Sequence, residues 1–176
     1  MTHKADVKRF EGLFVPHMSA AYNLARWLTG NEAAAHDVAQ ESALRAFKFL
    51  HRFAGGNARA WLLAIVRNQS YTWLKQSAGY RWVNIGDEIP EDDPALGHAE
   101  TPEFFVLRSQ NMVLVQQALA ALPPQFREVI VLKELESMAY KEIAMVADIP
   151  LGTVMSRLAR ARTMLKTELL KLYAHE

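Results

Sequence analysis

Two runs decide how this chain is read: Met138-Ala139-Tyr140-Lys141-Glu142-Ile143-Ala144, and Ala147-Asp148-Ile149-Pro150-Leu151-Gly152-Thr153-Val154-Met155-Ser156-Arg157-Leu158. A short helix, a tight turn and a second helix make a helix-turn-helix. Ile143 and Ala144 pack the first helix, and Ile149 fills the space under the turn. Pro150 suits a first helical turn, where its missing N–H costs nothing. At 100° per residue Val154, Leu158, Ala161 and Leu165 fall on one apolar face. Thr153, Ser156, Arg157 and Arg160 share a polar stripe, with Met155, Ala159, Arg162 and Lys166 on its other flank. Hydroxyls at a helix start bond phosphates or bases, and arginine forks match guanine edges in the major groove. Small Ala159 lets such a helix approach closely. A solvated basic helix in an ordinary bundle is the competing reading. The absence of any acid from 150 to 167, after a turn of this grammar, favours nucleic acid.

Working outward, helical periodicity covers most of the chain. Towards the C-terminus, helices are expected over about Glu103–Leu122 (ended by Pro123-Pro124), Gln125–Glu134, Ala139–Val146 and roughly Leu151–Leu172. Towards the N-terminus, Phe10, Leu13, Phe14, His17, Met18 and Ala21 recur at three- and four-residue steps, continuing through Leu24 and Leu28. Thr29-Gly30-Asn31 breaks that run. Asn31 caps a second helix that carries Glu32 in its first turn and extends to about Leu50. After the Ala54-Gly55-Gly56-Asn57 loop a third helix spans about Ala58 to Gln76. Residues 77–102 lose all periodicity and carry glycines, prolines and acids, as an acidic tether does. A loop of that length inside one domain is unusual. The expected fold is all-α, with one helical domain at 1–76, a linker at 77–102 and a second helical domain at 103–176.

Composition narrows the function. The chain has 176 residues, 51% hydrophobic and 22% charged, with net charge +1 and no cysteine. Disulfides, thiolate metal sites and cysteine nucleophiles are thereby excluded. Charge is unevenly placed: residues 1–79 hold ten Lys/Arg against five Asp/Glu, residues 80–110 two against seven, and residues 150–172 five against one. Two basic zones flank an acidic middle. No apolar run approaches the roughly 18 residues of a membrane helix, and the N-terminus lacks a signal-peptide core. A cytoplasmic protein without membrane insertion is expected. The six histidines show no metal-ligand spacing. No phosphate loop, dinucleotide fingerprint or nucleophile elbow is present. Neither enzyme chemistry, nor a cofactor, nor a metal is expected.

At these residues the chain resembles the extracytoplasmic-function group of sigma factors, the minimal members of the sigma-70 family. Leu122-Pro123-Pro124-Gln125-Phe126-Arg127-Glu128-Val129-Ile130-Val131-Leu132 is similar to the opening of sigma region four. Gly152 to Leu158 with Arg160-Ala161-Arg162 is similar to its recognition helix. Asp37-Val38-Ala39-Gln40-Glu41 is similar to the core-binding helix of region two, and Ala60 to Asn68 to the melting segment. The resemblance spans nearly the whole chain apart from the linker.

The resemblance implies three interfaces. Region four would read the −35 promoter element through Thr153, Ser156, Arg157, Arg160 and Arg162, with Tyr140. Met155 stands where the family often carries a basic residue, which shifts weight onto Arg157 and Arg160. Region two would capture a flipped base of the −10 element, using Gly55, Gly56, Asn57 and Asn68. Arg59 and Arg67 would hold the single strand, as would Lys75, with Trp73 beside them. Trp61 is expected in the core, while Tyr71 and Trp73 are open between core and base stacking. Asp37, Gln40, Glu41 and Leu44 share one helix face, read either as a solvated stripe or as a dock for the polymerase. The resemblance favours docking on the clamp helices of the largest subunit of core RNA polymerase, with region four on the flap of the second largest. It also implies control by an anti-sigma factor in a stress response. The linker acids Asp87, Glu88, Asp92 and Asp93 would lie towards the RNA exit path. Two other functions compete: a sigma mimic that sequesters an anti-sigma factor without touching DNA, and a dimeric helix-turn-helix repressor. The mimic would lack the basic recognition stripe, and the repressor would give the Asp37–Leu44 face no purpose.

Overall fold

A computed structural model describes residues 2–77 and 112–174, and every regular element among them is helical. The first half contains α1 (Thr2–Phe14), α2 (Met18–Thr29), α3 (Glu32–Lys48) and α4 (Ala58–Ser77). The second contains α5 (Met112–Ala121), α6 (Pro124–Ile130), α7 (Tyr140–Ala147) and α8 (Leu151–Tyr173).

The expected single run from Phe10 to Leu28 is broken into α1 and α2 by a 3-10 turn at Val15–His17. Pro16 is the cause: it has no N–H to donate and its ring crowds the preceding turn. Glycine 30, with φ of 66°, closes α2. Asn31 caps α3 as its sequence predicts, its Oδ1 accepting the Ala34 N–H at 2.9 Å. The expected linker begins one residue late, since Ser77 still belongs to α4. The stretch 78–111, with the linker acids and the first turns of the helix expected from Glu103, lies outside the described residues.

The predicted helix over Gln125–Glu134 changes character midway. α6 ends at Ile130 and passes into a wide π turn over Val131–Leu135, where the Glu136 N–H bonds back to the Val131 carbonyl at 3.1 Å. Ser137, at φ of 53°, then redirects the chain and drives Met138 into the core. The wider turn matters because it sets the directions of Glu134 and Glu136.

In the first half α2, α3 and α4 pack on one another, with α1 across α3 and α4. Phe14, Leu24, Leu28, Leu62 and Leu63 form the centre. Trp61 joins Phe14 and Phe53 at 5.3 Å each, so it belongs to an aromatic cluster of the core, as expected. In the second half α8 lies against α5, α6 and α7, around Ile130, Leu132, Ile143, Leu158 and Leu165.

The two halves also meet. α4 packs against α7, and α2 against α6. Buried apolar residues run from one half into the other as a single cluster. Arg127 fastens the seam. Its guanidinium donates to the Trp27 carbonyl at the end of α2 (2.9 Å) and to the Leu119, Ala120 and Leu122 carbonyls at the end of α5 (3.0, 3.0 and 2.7 Å). Carbonyls at helix C-termini have no partner in their own helix and carry the negative end of the dipole.

Candidate nucleic-acid interface

The helix-turn-helix forms where the sequence places it. α7 ends at Ala147, and Asp148 behind it takes the left-handed conformation at φ of 53°. The Ile149 N–H bonds to the Ala144 carbonyl at 3.2 Å, and α8 starts behind Pro150. Val154, Leu158, Ala161 and Leu165 are all buried, as the 100° plot requires.

The polar stripe is less uniform than expected. Ser156 is 7% exposed and its hydroxyl donates to the Thr153 carbonyl at 2.9 Å, inside its own helix. Arg157 turns inward, with Nη1 3.9 Å from a carboxylate oxygen of Glu128. Arg162 pairs with Glu134 at 3.1 Å. Thr153 and Arg160 are half-buried. The Tyr140 ring lies 4.9 Å from the Lys133 ammonium. Leu151, Gly152 and Met155 are the open positions of the first turns, Met155 being 53% exposed.

On the first half, Gly55 and Gly56 sit in an exposed loop with φ of 98° and 93°, values that few residues with a Cβ adopt. Asn68 and Lys75 are exposed on α4, and Trp73 is half-buried against the core. Tyr71 resolves to the core side: it is buried and stacks under Arg67, whose guanidinium carbon is 4.4 Å from the ring centre.

Asn57, Arg59 and Arg67 do not face open solvent. Each meets a carboxylate from the second half. Asn57 caps α4 with Oδ1, accepting the Ala60 N–H at 2.9 Å, and donates from Nδ2 to Glu142 at 2.6 Å. The other Glu142 oxygen accepts the Ala139 N–H at 2.7 Å. Arg59 donates to both the carbonyl and the carboxylate of Glu136, at 2.6 and 2.8 Å. Arg67 grips Glu128 with Nε at 2.8 Å and Nη2 at 3.2 Å. Glu128 is fully buried, so one carboxylate lies between an arginine of α4 and an arginine of α8.

Burial pushes the Glu128 carboxyl above its ordinary value, against the pull of Arg67 and Arg157. Burial of Arg67 works against its charge, but Glu128 outweighs it and leaves the guanidinium more firmly protonated than usual. His17 is held below its ordinary value, first by partial burial and then by the Arg59 charge.

Sequence reasoning missed Glu128, Glu136, Glu142 and Arg127. A signal existed for Glu128: a carboxylate directly before the apolar run Val129 to Leu132 has to find a cation if it is buried with that run. Nothing local pointed to its partner 61 residues away.

The face formed by Asp37, Gln40, Glu41 and Leu44 is exposed throughout, Leu44 at 66%. Glu41 is tied to Arg45 at 2.8 Å. Among the described residues no group of three or more metal-ligating side chains assembles, and no helix is long and apolar enough to cross a membrane.

Comparison with known proteins agrees with this geometry. Residues 13–79 match the family "Sigma-70 region 2", and residues 112–165 match "Sigma-70, region 4". The chain is 33% identical over 165 residues to the RNA polymerase sigma-H factor of Pseudomonas aeruginosa, covering 90% of this chain and 85% of that one. It is 31% identical over 171 residues to the ECF RNA polymerase sigma factor SigE of Mycolicibacterium smegmatis, covering 96% of this chain but 64% of that relative's length. A solved structure of the sigma factor RpoE from Bartonella quintana, in complex with the anti-sigma factor NepR, superimposes with a TM-score of 0.68. It is 25% identical, over 93% of this chain and 98% of that one. Two family segments in order, on this helical architecture and with relatives of this extent, establish that the chain belongs to the extracytoplasmic-function group of the sigma-70 family.

Proposed function

We propose that the chain acts as an RNA polymerase sigma factor: it joins core enzyme, reads −35 and −10 promoter elements, promotes melting and starts transcription without catalysing a reaction itself. The observation that carries this reading is the presence of two unlike faces on one chain. The Asp37, Gln40, Glu41 and Leu44 face of α3 is open for a protein partner, and the first turns of α8 project from a helix-turn-helix.

On this reading Arg160 and Thr153 read the −35 duplex, with Arg157, Arg162, Ser156 and Tyr140 contributing once their present contacts are exchanged. The Gly55-Gly56-Asn57 loop, Asn68 and Trp73 take the flipped −10 base, and Arg59 and Arg67 hold its backbone. The α3 face docks on the clamp helices of the largest polymerase subunit, and region four on the flap of the second largest. The protein works in the cytoplasm, and an anti-sigma factor holds it until stress releases it.

Transcription in vitro on genomic fragments tests the reading. Core polymerase with this chain should start transcripts at discrete sites where core alone does not. Absence of site selection would refute the proposal. Arg160→Ala should weaken −35 duplex binding by about 1–3 kcal/mol, the value of a lost bidentate base contact. Asp37→Ala with Gln40→Ala should reduce core binding while leaving the circular dichroism unchanged.

A further inference from the structure

We infer that this chain reads its −35 duplex partly by apolar contact: Met155, with Leu151 one turn before it, packs on the 5-methyl groups of thymine in the major groove. The inference rests on the proposed function for the identity of the duplex, and it names the base feature that the duplex must carry.

The observation is what α8 presents at its start. A recognition helix meets base edges with its N-terminal residues. Here the polar groups among those residues are turned aside. Ser156 is buried and its hydroxyl donates to the Thr153 carbonyl within α8. Arg157 leans towards Glu128 at 3.9 Å, and Thr153 is half-buried. The side chains that point outward are Leu151, 41% exposed, and Met155, 53% exposed. Four residues apart, they lie side by side on one helix face, with Cβ atoms about 5–6 Å apart. Gly152 between them is exposed, and a Cβ there would meet nothing within 4 Å. The fold itself therefore makes no demand for glycine, which weakens a helix relative to alanine. A partner that approaches the backbone closely does make that demand.

The surrounding charge selects the partner. From 150 to 167 the chain carries Arg157, Arg160, Arg162 and Lys166 and no acid, so the complementary surface is a polyanion. Within the major groove, the thymine methyl is the apolar group that a base edge offers. Methionine suits it, being unbranched and polarizable. The Cβ spacing of Leu151 and Met155 covers between one and two base-pair steps of about 3.4 Å. The methyl groups they meet therefore lie on pairs no more than two steps apart.

The test replaces thymine by deoxyuracil, which lacks the 5-methyl group and keeps the hydrogen-bonding edge. Core polymerase carrying the full chain first selects −35 duplexes from a random library. Each thymine of the selected site is then replaced in turn, and affinity is measured by fluorescence anisotropy. Wild type should bind about fourfold more weakly when a contacted thymine loses its methyl, the effect of one buried methyl group. Met155→Ala and Met155→Gln, both at an exposed position, should bind the two forms equally to within about 1.5-fold. A merely structural role for Met155 would weaken both forms alike and leave their ratio unchanged. Thymines that can all be replaced without effect overturn the inference, as does a methyl preference that persists in both variants. Loss of core binding in Met155→Gln, seen by native mobility, with the methyl preference intact, makes the patch a protein contact and also overturns it. If wild type does not join core, the sigma reading falls by itself. The selection is then repeated with the chain alone, and a site without the methyl preference, or no selected site, overturns the inference.

Discussion

Arg127 shows how much a single side chain carries here. Its guanidinium reaches carbonyls at the ends of α2 and α5, which come from different halves of the protein. Arg127→Ala removes several charge-assisted bonds at once and leaves helix-end carbonyls without their donor. Urea denaturation should show a loss of about 3 kcal/mol. Ser42 is the opposite case. It is fully buried, and its hydroxyl has no hydrogen-bond partner among the described residues. Ser42→Ala should leave stability unchanged or raise it by about 1 kcal/mol, since it removes a buried polar atom without opening a large cavity. His17 gives the pH dependence. Its folded pKa lies below the ordinary 6.5, so the unfolded chain binds the proton more tightly. Its contribution is complete above about pH 6.5 and is lost as pH falls through that value into the lowered folded range. Stability measured from pH 7.5 to 5 should decline less in His17→Gln than in wild type. These residue roles were largely invisible in the sequence. The Asn31 cap was legible because its partner is three residues away. Glu128 and Arg67 lie 61 residues apart, and no local pattern joins them.

At the scale of elements, the helices were readable wherever burial follows a 3.6-residue period. The core face of α8 is as plotted, and Leu158→Ala should cost about 2–5 kcal/mol in thermal or urea unfolding, the range for emptying a fully buried leucine site. What the periodicity could not show is where a helix bends without losing its apolar spacing. Phe14 and Ala21 belong to one core although Pro16 separates their helices. Val131 and Leu132 stay buried through the π turn, so the apolar pattern runs on while the backbone widens. That widening sends Glu134 to Arg162 and Glu136 to Arg59. The candidate DNA residues were legible by type and spacing. Their occupied state was not, because it arises between elements rather than within them.

For the whole molecule, the sequence suggested two domains on a tether, and the described residues form one continuous buried cluster. This makes a sharp expectation for unfolding. Three of the four tryptophans, Trp27, Trp61 and Trp73, lie in the first half and none between 112 and 174, so tryptophan fluorescence follows chiefly the first half, whereas far-ultraviolet circular dichroism follows helices in both. The two curves should coincide in the free protein. The seam through Arg127 and the shared apolar cluster has one more consequence. Among the described residues the cohesion between halves is written in side chains. Segments 1–77 and 112–176, expressed as separate polypeptides in one cell, should copurify as a reconstituted pair.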